Sequence, residues 1–293
     1  MHGFEQRVGE QDLLDDAAAA LPDGDVRLGV EDQHVSVRTF DRLREALPDS
    51  VELVPAGGAV ERLREVKDPD EVARIRAAAE LADAAMRRTL DEGLAGRSER
   101  AVALALEQEM RRLGAERPSF DTIVASGPHG ALPHAVPRDV EIAADGLVTI
   151  DWGAQLDGYC SDCTRTYAVG EPGRRAREVY ELVLRAQLAG LDAVRPGVSG
   201  RDADAAARKL IAAGGEGERF GHGLGHGVGL EIHEAPRLSR ASDATLAAGH
   251  VVTVEPGIYL PDELGVRIED LVLVTDDGCE RLNGLPKELI VVG

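Results

Sequence analysis

The chain has 293 residues, 43% of them hydrophobic, and carries a formal net charge of −20. That length allows one large domain of ~220 residues and a small one, and so negative a surface argues against nucleic-acid partners and anionic membranes while favouring solubility. No stretch approaches the ~20 apolar residues of a membrane helix, and the start, MHGFEQRVGEQDLLDD, has no signal-peptide h-region, so a cytoplasmic location is expected.

Residues 26–56 read as strand, helix, strand: RLGV, then SVRTFDRLREAL with helical spacing, then VELVPA. About 60 residues is thin for an independent core, so this α/β piece is expected to lean on the larger domain or on a second subunit. Asp68-Pro69-Asp70-Glu71 opens a long helix, with Asp68 as N-cap, Pro69 at the first helical position and acids in the first turn. Val72, Ile75, Ala79 and Ala82 mark its inner face. After Gly93 and Gly96 a second helix runs from near Ser98 to Gly114, and strand material follows at Thr122–Ala125.

The order then recurs. A helix spans about Arg174 to Val194, a Pro-Gly turn follows, and Ser199 caps a shorter helix ending at Gly214-Gly215. Each half then carries an apolar strand pair with two acids: LVTIDWGAQLDGYCSDCTRTYAV in the first, HVVTVEPGIYLPDELGVRIEDLVLV in the second. Residue identity between the halves is poor, so this internal duplication rests on order and pattern. Cys160 and Cys163 form a C-x-x-C that straddles Asp162 inside a strand. No second such pair or nearby histidine completes a zinc site, and three cysteines make no disulfide framework. They read as small buried strand residues.

Asp157-Gly158 is a two-residue hairpin turn. It places Leu156 opposite Tyr159, Asp151 opposite Thr164 and Gly153 opposite Asp162, so Asp151 and Asp162 share a face, ~7–8 Å apart. If Tyr259 pairs with Gly265, Glu255 falls opposite Glu269, and Arg267 shares the face of Glu269, where it could fix a carboxylate or substrate. His222, His226 and His233 fall in one glycine-rich segment whose glycines permit close backbone approach. No lysine follows to make a phosphate loop, and H-E-x-x-H is absent. Asp151, Asp162, His226, Glu255 and Glu269 therefore form a candidate metal set. Four gathered carboxylates repel and resist burial unless cations neutralise them, and two divalent ions would balance their charge. An oxygen-rich set with one imidazole suits Mn²⁺, Co²⁺, Fe²⁺ or Zn²⁺ pairs better than a structural zinc.

These motifs, in order, resemble the pita-bread metallopeptidases, the group that holds aminopeptidase P, prolidase and methionine aminopeptidase. The resemblance spans roughly residues 65–293. It includes the linker RLREVKDPDEVARIRAAAELAD, and the VEPGIY and VRIED contexts are closer to the proline-directed branch than to methionine aminopeptidase. It implies an α+β pita-bread fold with an internal pseudo-duplication over residues 66–293, preceded by a small truncated α/β unit over residues 1–65. It also implies an Xaa-Pro aminopeptidase or dipeptidase that attacks through a hydroxide shared by two metal ions, manganese foremost. By resemblance Asp151 chelates one ion, Asp162 and Glu269 bridge, and His226 and Glu255 hold the second. His134, in GALPHAVP, matches the substrate-side histidine, and His233 the one that steadies the tetrahedral intermediate. Glu255 shuttles a proton, and His222 and Arg267 line the proline pocket. The implied partners are short peptides with proline second and another copy of the chain in a homodimer. The alternatives are a methionine aminopeptidase-like enzyme and a non-catalytic binding protein of the same fold.

Overall fold

Residues 8–9 and 13–293 are described by the computed structural model. The chain divides into two units, Met1–Leu63 and Arg64–Gly293. Along the first run α1 (Leu13–Ala19), β1 (Val26–Val30), α2 (Val37–Ala46), β2 (Val51–Pro55) and α3 (Ala59–Glu65). β1 and β2 are parallel, Val26 opposite Val51 and Val30 opposite Pro55. A parallel pair needs a crossover, which α2 provides, so the strand–helix–strand reading of residues 26–56 holds. Ser36 starts α2, its Oγ accepting from the Thr39 N–H at 3.1 Å.

The second unit opens on α4 (Pro69–Asp91). Asp68 Oδ1 accepts from Asp70 N and Glu71 N, and Glu71 returns a carboxylate oxygen to Asp68 N. This capping box satisfies the first-turn donors and leaves Pro69 where no donor is needed. Ile75, Ala79 and Ala82 are buried as their spacing requires. α5 (Glu99–Arg112) follows its Ser98 cap. Then come β3 (Arg117–Pro118), β4 (Ile123–Ser126), β5 (Gly146–Trp152), β6 (Ala154–Leu156), β7 (Tyr159–Cys160) and β8 (Cys163–Val169).

Asp157 and Gly158 have φ of 49° and 81°, the left-handed pair of a type I′ hairpin. The register expected from that turn is present, with Leu156 opposite Tyr159 and Asp151 opposite Thr164. One detail differs. Asp162 does not lie inside a strand but in a break between β7 and β8. There Ser161 Oγ accepts from Ala154 N at 3.0 Å, a side chain replacing part of the backbone ladder. Cys160 and Cys163 flank the break, buried and unbridged.

The second half repeats the plan with α6 (Arg174–Ala193), α7 (Gly200–Ala213), β9 (Gly225–Gly227), β10 (Glu234–Leu238), β11 (Val251–Val254), β12 (Gly257–Leu260), β13 (Leu264–Arg267), β14 (Asp270–Val274), β15 (Cys279–Arg281) and β16 (Val291–Val292). α5 and α7 each have 14 residues, and their cap serines make equivalent isolated bridges, Ser98 to Glu141 and Ser199 to Thr245. The sheet order β4-β5-β8 of the first half is matched by β9-β11-β14 in the second. Asp162 immediately precedes β8 and Glu269 immediately precedes β14. Asp151 lies near the end of β5 and Glu255 directly follows β11. The duplication therefore extends to the acids. Tyr259 pairs with Gly265, and Val254 with Asp270, so the second expected register also holds.

Each half has its own apolar cluster. Met86, Leu106, Val124, Ile150 and Trp152 belong to the first, with Trp152 Nε1 donating to the Ala82 carbonyl at 3.1 Å. Val183, Ala186, Leu224, Val252, Val254 and Val272 belong to the second. Helices thus bury one face of each sheet, leaving strand ends and loops to carry polar groups.

Candidate metal centre

All nine residues singled out from the sequence (His134, Asp151, Asp162, His222, His226, His233, Glu255, Arg267 and Glu269) line one cavity of about 860 Å³ in the second unit. Carboxylate oxygens of Asp151, Asp162 and Glu269 lie within 4.8 Å of one another. His226 Nε2 is 3.6 Å from Asp162 Oδ2 and 3.3 Å from Glu255 Oε1. The five candidate ligands therefore converge.

Local structure aims them. β9 carries His226, and its glycines let it press against its neighbours: a Cβ on Gly225 would meet the Thr253 carbonyl oxygen at 1.9 Å, and one on Gly227 the Ala235 oxygen at 2.2 Å. Only glycine fits there. His226 Nδ1 faces its own Gly227 carbonyl at 3.1 Å. A carbonyl only accepts, so Nδ1 donates there, and Nε2 is the ring atom left to face Asp162 and Glu255. Thr253 Oγ1 donates to Glu255 Oε1 at 3.0 Å, and Thr164 Oγ1 to Glu269 Oε2 at 2.7 Å. Arg267 Nη2 donates to Asp151 Oδ2 at 2.7 Å.

Electrostatics bear on what the cluster can hold. Burial, reinforced by Glu269, Asp151 and Glu255, pushes Asp162 well above the usual carboxylate range. Glu269 is likewise pushed well up, by burial and by Glu255 and Asp151. Asp151 rises too, burial outweighing the opposing charge of Arg267. Glu255 differs: burial would raise it, but the hydrogen bond and charge of His226, with His222 and Arg267, hold it at about 2. Asp151 Oδ1 and Glu269 Oε1 are buried with no hydrogen-bond partner among the described residues. Facing acceptors with no donor between them are repulsive, and a cation resolves the conflict. The donor set thus fits divalent metal.

The remaining residues form the wall. Arg267 Nη1 donates to Tyr259 Oη at 2.9 Å, and Tyr259 Oη lies 2.8 Å from His222 Nε2. His222 Nδ1 meets the Gly223 carbonyl at 2.8 Å, so Nε2 accepts from Tyr259 and the ring is neutral. Burial lowers its pKa in agreement. The His233 ring packs edge-on against His226 at 4.4 Å. Burial, then the nearby His226 and Arg237, hold it at about 4, so it is neutral near pH 7. His134 stands exposed at the cavity wall.

Residues 73–276 match the model of metallopeptidase family M24, and residues 3–66 that of the Creatinase/Prolidase N-terminal domain. The chain belongs to metallopeptidase family M24. This M24 chain is 47% identical over 266 residues to a peptidase of Bacillus subtilis described as uncharacterized, covering 91% of this chain and 75% of that one. It is 47% identical over 231 residues to the Xaa-Pro dipeptidase of Pyrococcus furiosus, covering 79% and 66% of the two chains. Among solved structures, the Xaa-Pro dipeptidase from Bacillus anthracis superposes with a TM-score of 0.92 at 44% identity, covering 97% of this chain and 80% of that one. The X-Pro aminopeptidase from Thermotoga maritima does so with 0.91 at 39% identity, covering 98% and 82%. The expected α+β pita-bread fold is the one this metallopeptidase adopts, and the family implies divalent metal ions.

The M24 cavity also includes residues that sequence reasoning passed over. Phe120, Ile123, Ile232 and Arg237 contribute to its lining. None stands in a distinctive pattern. Phe120 is one of only four phenylalanines, and that scarcity was its one available signal.

Proposed function

We infer that the protein is a dinuclear-metal peptidase that hydrolyses the N-terminal Xaa-Pro bond of short peptides, as an Xaa-Pro dipeptidase or aminopeptidase. The observation that carries this reading is the convergence of four carboxylates and His226 Nε2 beside the unpartnered Asp151 Oδ1 and Glu269 Oε1. The likeness to the Xaa-Pro dipeptidases of Pyrococcus furiosus and Bacillus anthracis supports the choice of substrate.

Asp151, Asp162, His226, Glu255 and Glu269 would hold the ions, and manganese suits their oxygen-rich set. When bound, such ions act as Lewis acids and lower the pKa of water towards neutrality. The rest falls to side chains. Glu255, held ionised and oriented by Thr253, would take a proton from the attacking water and return it to the departing nitrogen as the C–N bond breaks. A prolyl amide nitrogen must gain that proton to leave as a secondary amine. Neutral His233 has an N–H to offer an oxyanion. His134 sits on the substrate side. The Arg267–Tyr259–His222 chain fixes the wall against which a proline ring would pack. A homodimer in the cytoplasm completes the reading, to be checked by sedimentation and by cell fractionation.

The deciding experiment follows proline release from an Xaa-Pro dipeptide and an Xaa-Pro tripeptide by metal-stripped protein, with and without added Mn²⁺ or Co²⁺. A Met-Ala peptide serves as the competing substrate. Metal-restored proline release establishes the activity, and the preferred length separates dipeptidase from aminopeptidase. Cleavage of Met-Ala alone would replace this reading with a methionine-type one. Cleavage of none, at confirmed metal content, would leave a non-catalytic relative.

A further inference from the structure

His134 poses a mechanical problem. Its imidazole makes no hydrogen bond among the described residues, and it rides on a segment, Leu132–Val140, without helix or strand. Its place at the cavity is therefore set by the backbone that carries it.

That backbone is gripped by a residue outside the cavity. Glu99 is the first residue of α5, a position where an acid ordinarily faces solvent and favours the helix dipole. Here its side chain is 0% exposed. Oε1 accepts from Ser126 N at 2.9 Å, Ser126 Oγ at 2.8 Å and Arg138 Nη2 at 3.0 Å. Oε2 accepts from Arg138 N at 3.1 Å, Arg138 Nε at 3.0 Å and His129 Nδ1 at 3.0 Å. One carboxylate thus holds Ser126 and His129 on one side of His134 and Arg138 on the other. Between them, Arg267 Nη1 donates to the Pro133 carbonyl at 3.2 Å. Arg267 also binds Asp151, so the loop is referenced to the metal centre itself. Burial alone would raise the Glu99 pKa, but Arg138 and Ser126 hold it at about 2, and it is fully ionised under working conditions.

We propose that Glu99 is a positioning residue that acts on the reaction through His134, by fixing both ends of the loop that carries it. This rests on the reading of His134 as the substrate-side histidine. The geometry gives the reason: misplacing a group by about 1 Å can cost ~10²-fold in rate, and a loop released at both ends keeps only the Arg267 bond to Pro133 to hold it.

Two measurements test it on the intact, metal-loaded protein. The first is amide hydrogen exchange in Glu99→Gln. Exchange across residues 126–138 should quicken about tenfold or more, while β5 and β8 keep their wild-type rates. Unchanged exchange in the loop would overturn the proposal, as would equal acceleration throughout. Arg138→Met, which removes two side-chain donors from an exposed residue, should give a smaller change in the same segment if Glu99→Gln folds poorly. The second is a kinetic cycle with His134→Ala. Glu99→Gln should lower kcat about 10- to 100-fold, yet add less than about twofold to His134→Ala, because a lost target cannot be misplaced twice. Multiplying losses would show that Glu99 acts elsewhere. If the wild type fails to cut Xaa-Pro peptides, the functional reading falls, and the exchange result still decides whether Glu99 holds the loop.

Discussion

Arg267 Nη2 donates to Asp151 Oδ2 at 2.7 Å across the two halves of the duplicated chain. The arginine is 3% exposed and also reaches Tyr259, Thr164 and the Pro133 carbonyl. A buried guanidinium of this kind neutralises one carboxylate of the cluster without occupying the oxygen that faces its other acids.

Removing Arg267 should cost both stability and order. Arg267→Met leaves the half-buried Asp151 without its counter-ion, and half-broken buried pairs cost up to about 3–5 kcal/mol. Urea unfolding of the metal-free proteins should show a lowered midpoint. Arg267→Lys should recover little, since one ammonium cannot reach all these acceptors at once. Wild-type stability in the methionine variant would refute the role.

Asp162→Asn keeps the shape of the side chain and removes a charge shared by both proposed ions. Metal content per chain, read by mass spectrometry, should fall below two, and turnover should drop by at least about 10³-fold. Two tightly held ions with full activity in that variant would overturn the ligand assignment.

Metal removal should create a proton linkage of defined sign. In the metal-free fold Asp162 and Glu269 have raised pKa values, so the folded state binds more protons than the unfolded chain above the ordinary carboxylate range. Stability of the metal-free protein should therefore be greatest in mild acid and decline as pH rises through the raised values. Adding Mn²⁺ should release protons, measurable by calorimetry in buffers of different ionisation heat, and should abolish the decline. A metal-free protein with flat stability from mild acid to neutrality would contradict the electrostatic account.

Glu99 gives the opposite sign. Its pKa is depressed from 4.5 to about 2, so its contribution is fully present above the unfolded value and fades as pH falls towards 2. The gap corresponds to about 3 kcal/mol. Comparing acid unfolding of wild type and Glu99→Gln should show a shallower loss of stability between pH 4.5 and 2 in the variant.

Much of this was legible in the sequence, for local reasons. A two-residue Asp157-Gly158 turn sets a register by counting, so the pairing of Asp151 with Thr164 could be derived without coordinates. Capping at Asp68 and Ser199 is likewise a short-range signal. What escaped lies far apart along the chain. Lys67 Nζ meets Glu234 at 3.0 Å across 167 positions, joined there by Arg64. Glu99 reads as an ordinary first-turn acid until Ser126 and Arg138 are brought to it. The break at Ser161–Asp162 was also hidden, because a run of β-compatible residues does not announce where a side chain will take over a ladder bond.

The last described strand has a bearing on synthesis. β16 lies parallel to β8, Val291 opposite Ala168, and so completes the edge of the sheet that carries Asp151. The N-terminal half of the repeat, though translated first, stays unfinished until residues some 120 positions later have emerged (from 168 to 291). Its acids meanwhile wait for His226, Glu255 and Glu269. Asp151 and Asp162 meet His226, Glu255 and Glu269 only when both halves of the repeat are folded, so the candidate site belongs to the second unit as a whole and to neither half alone.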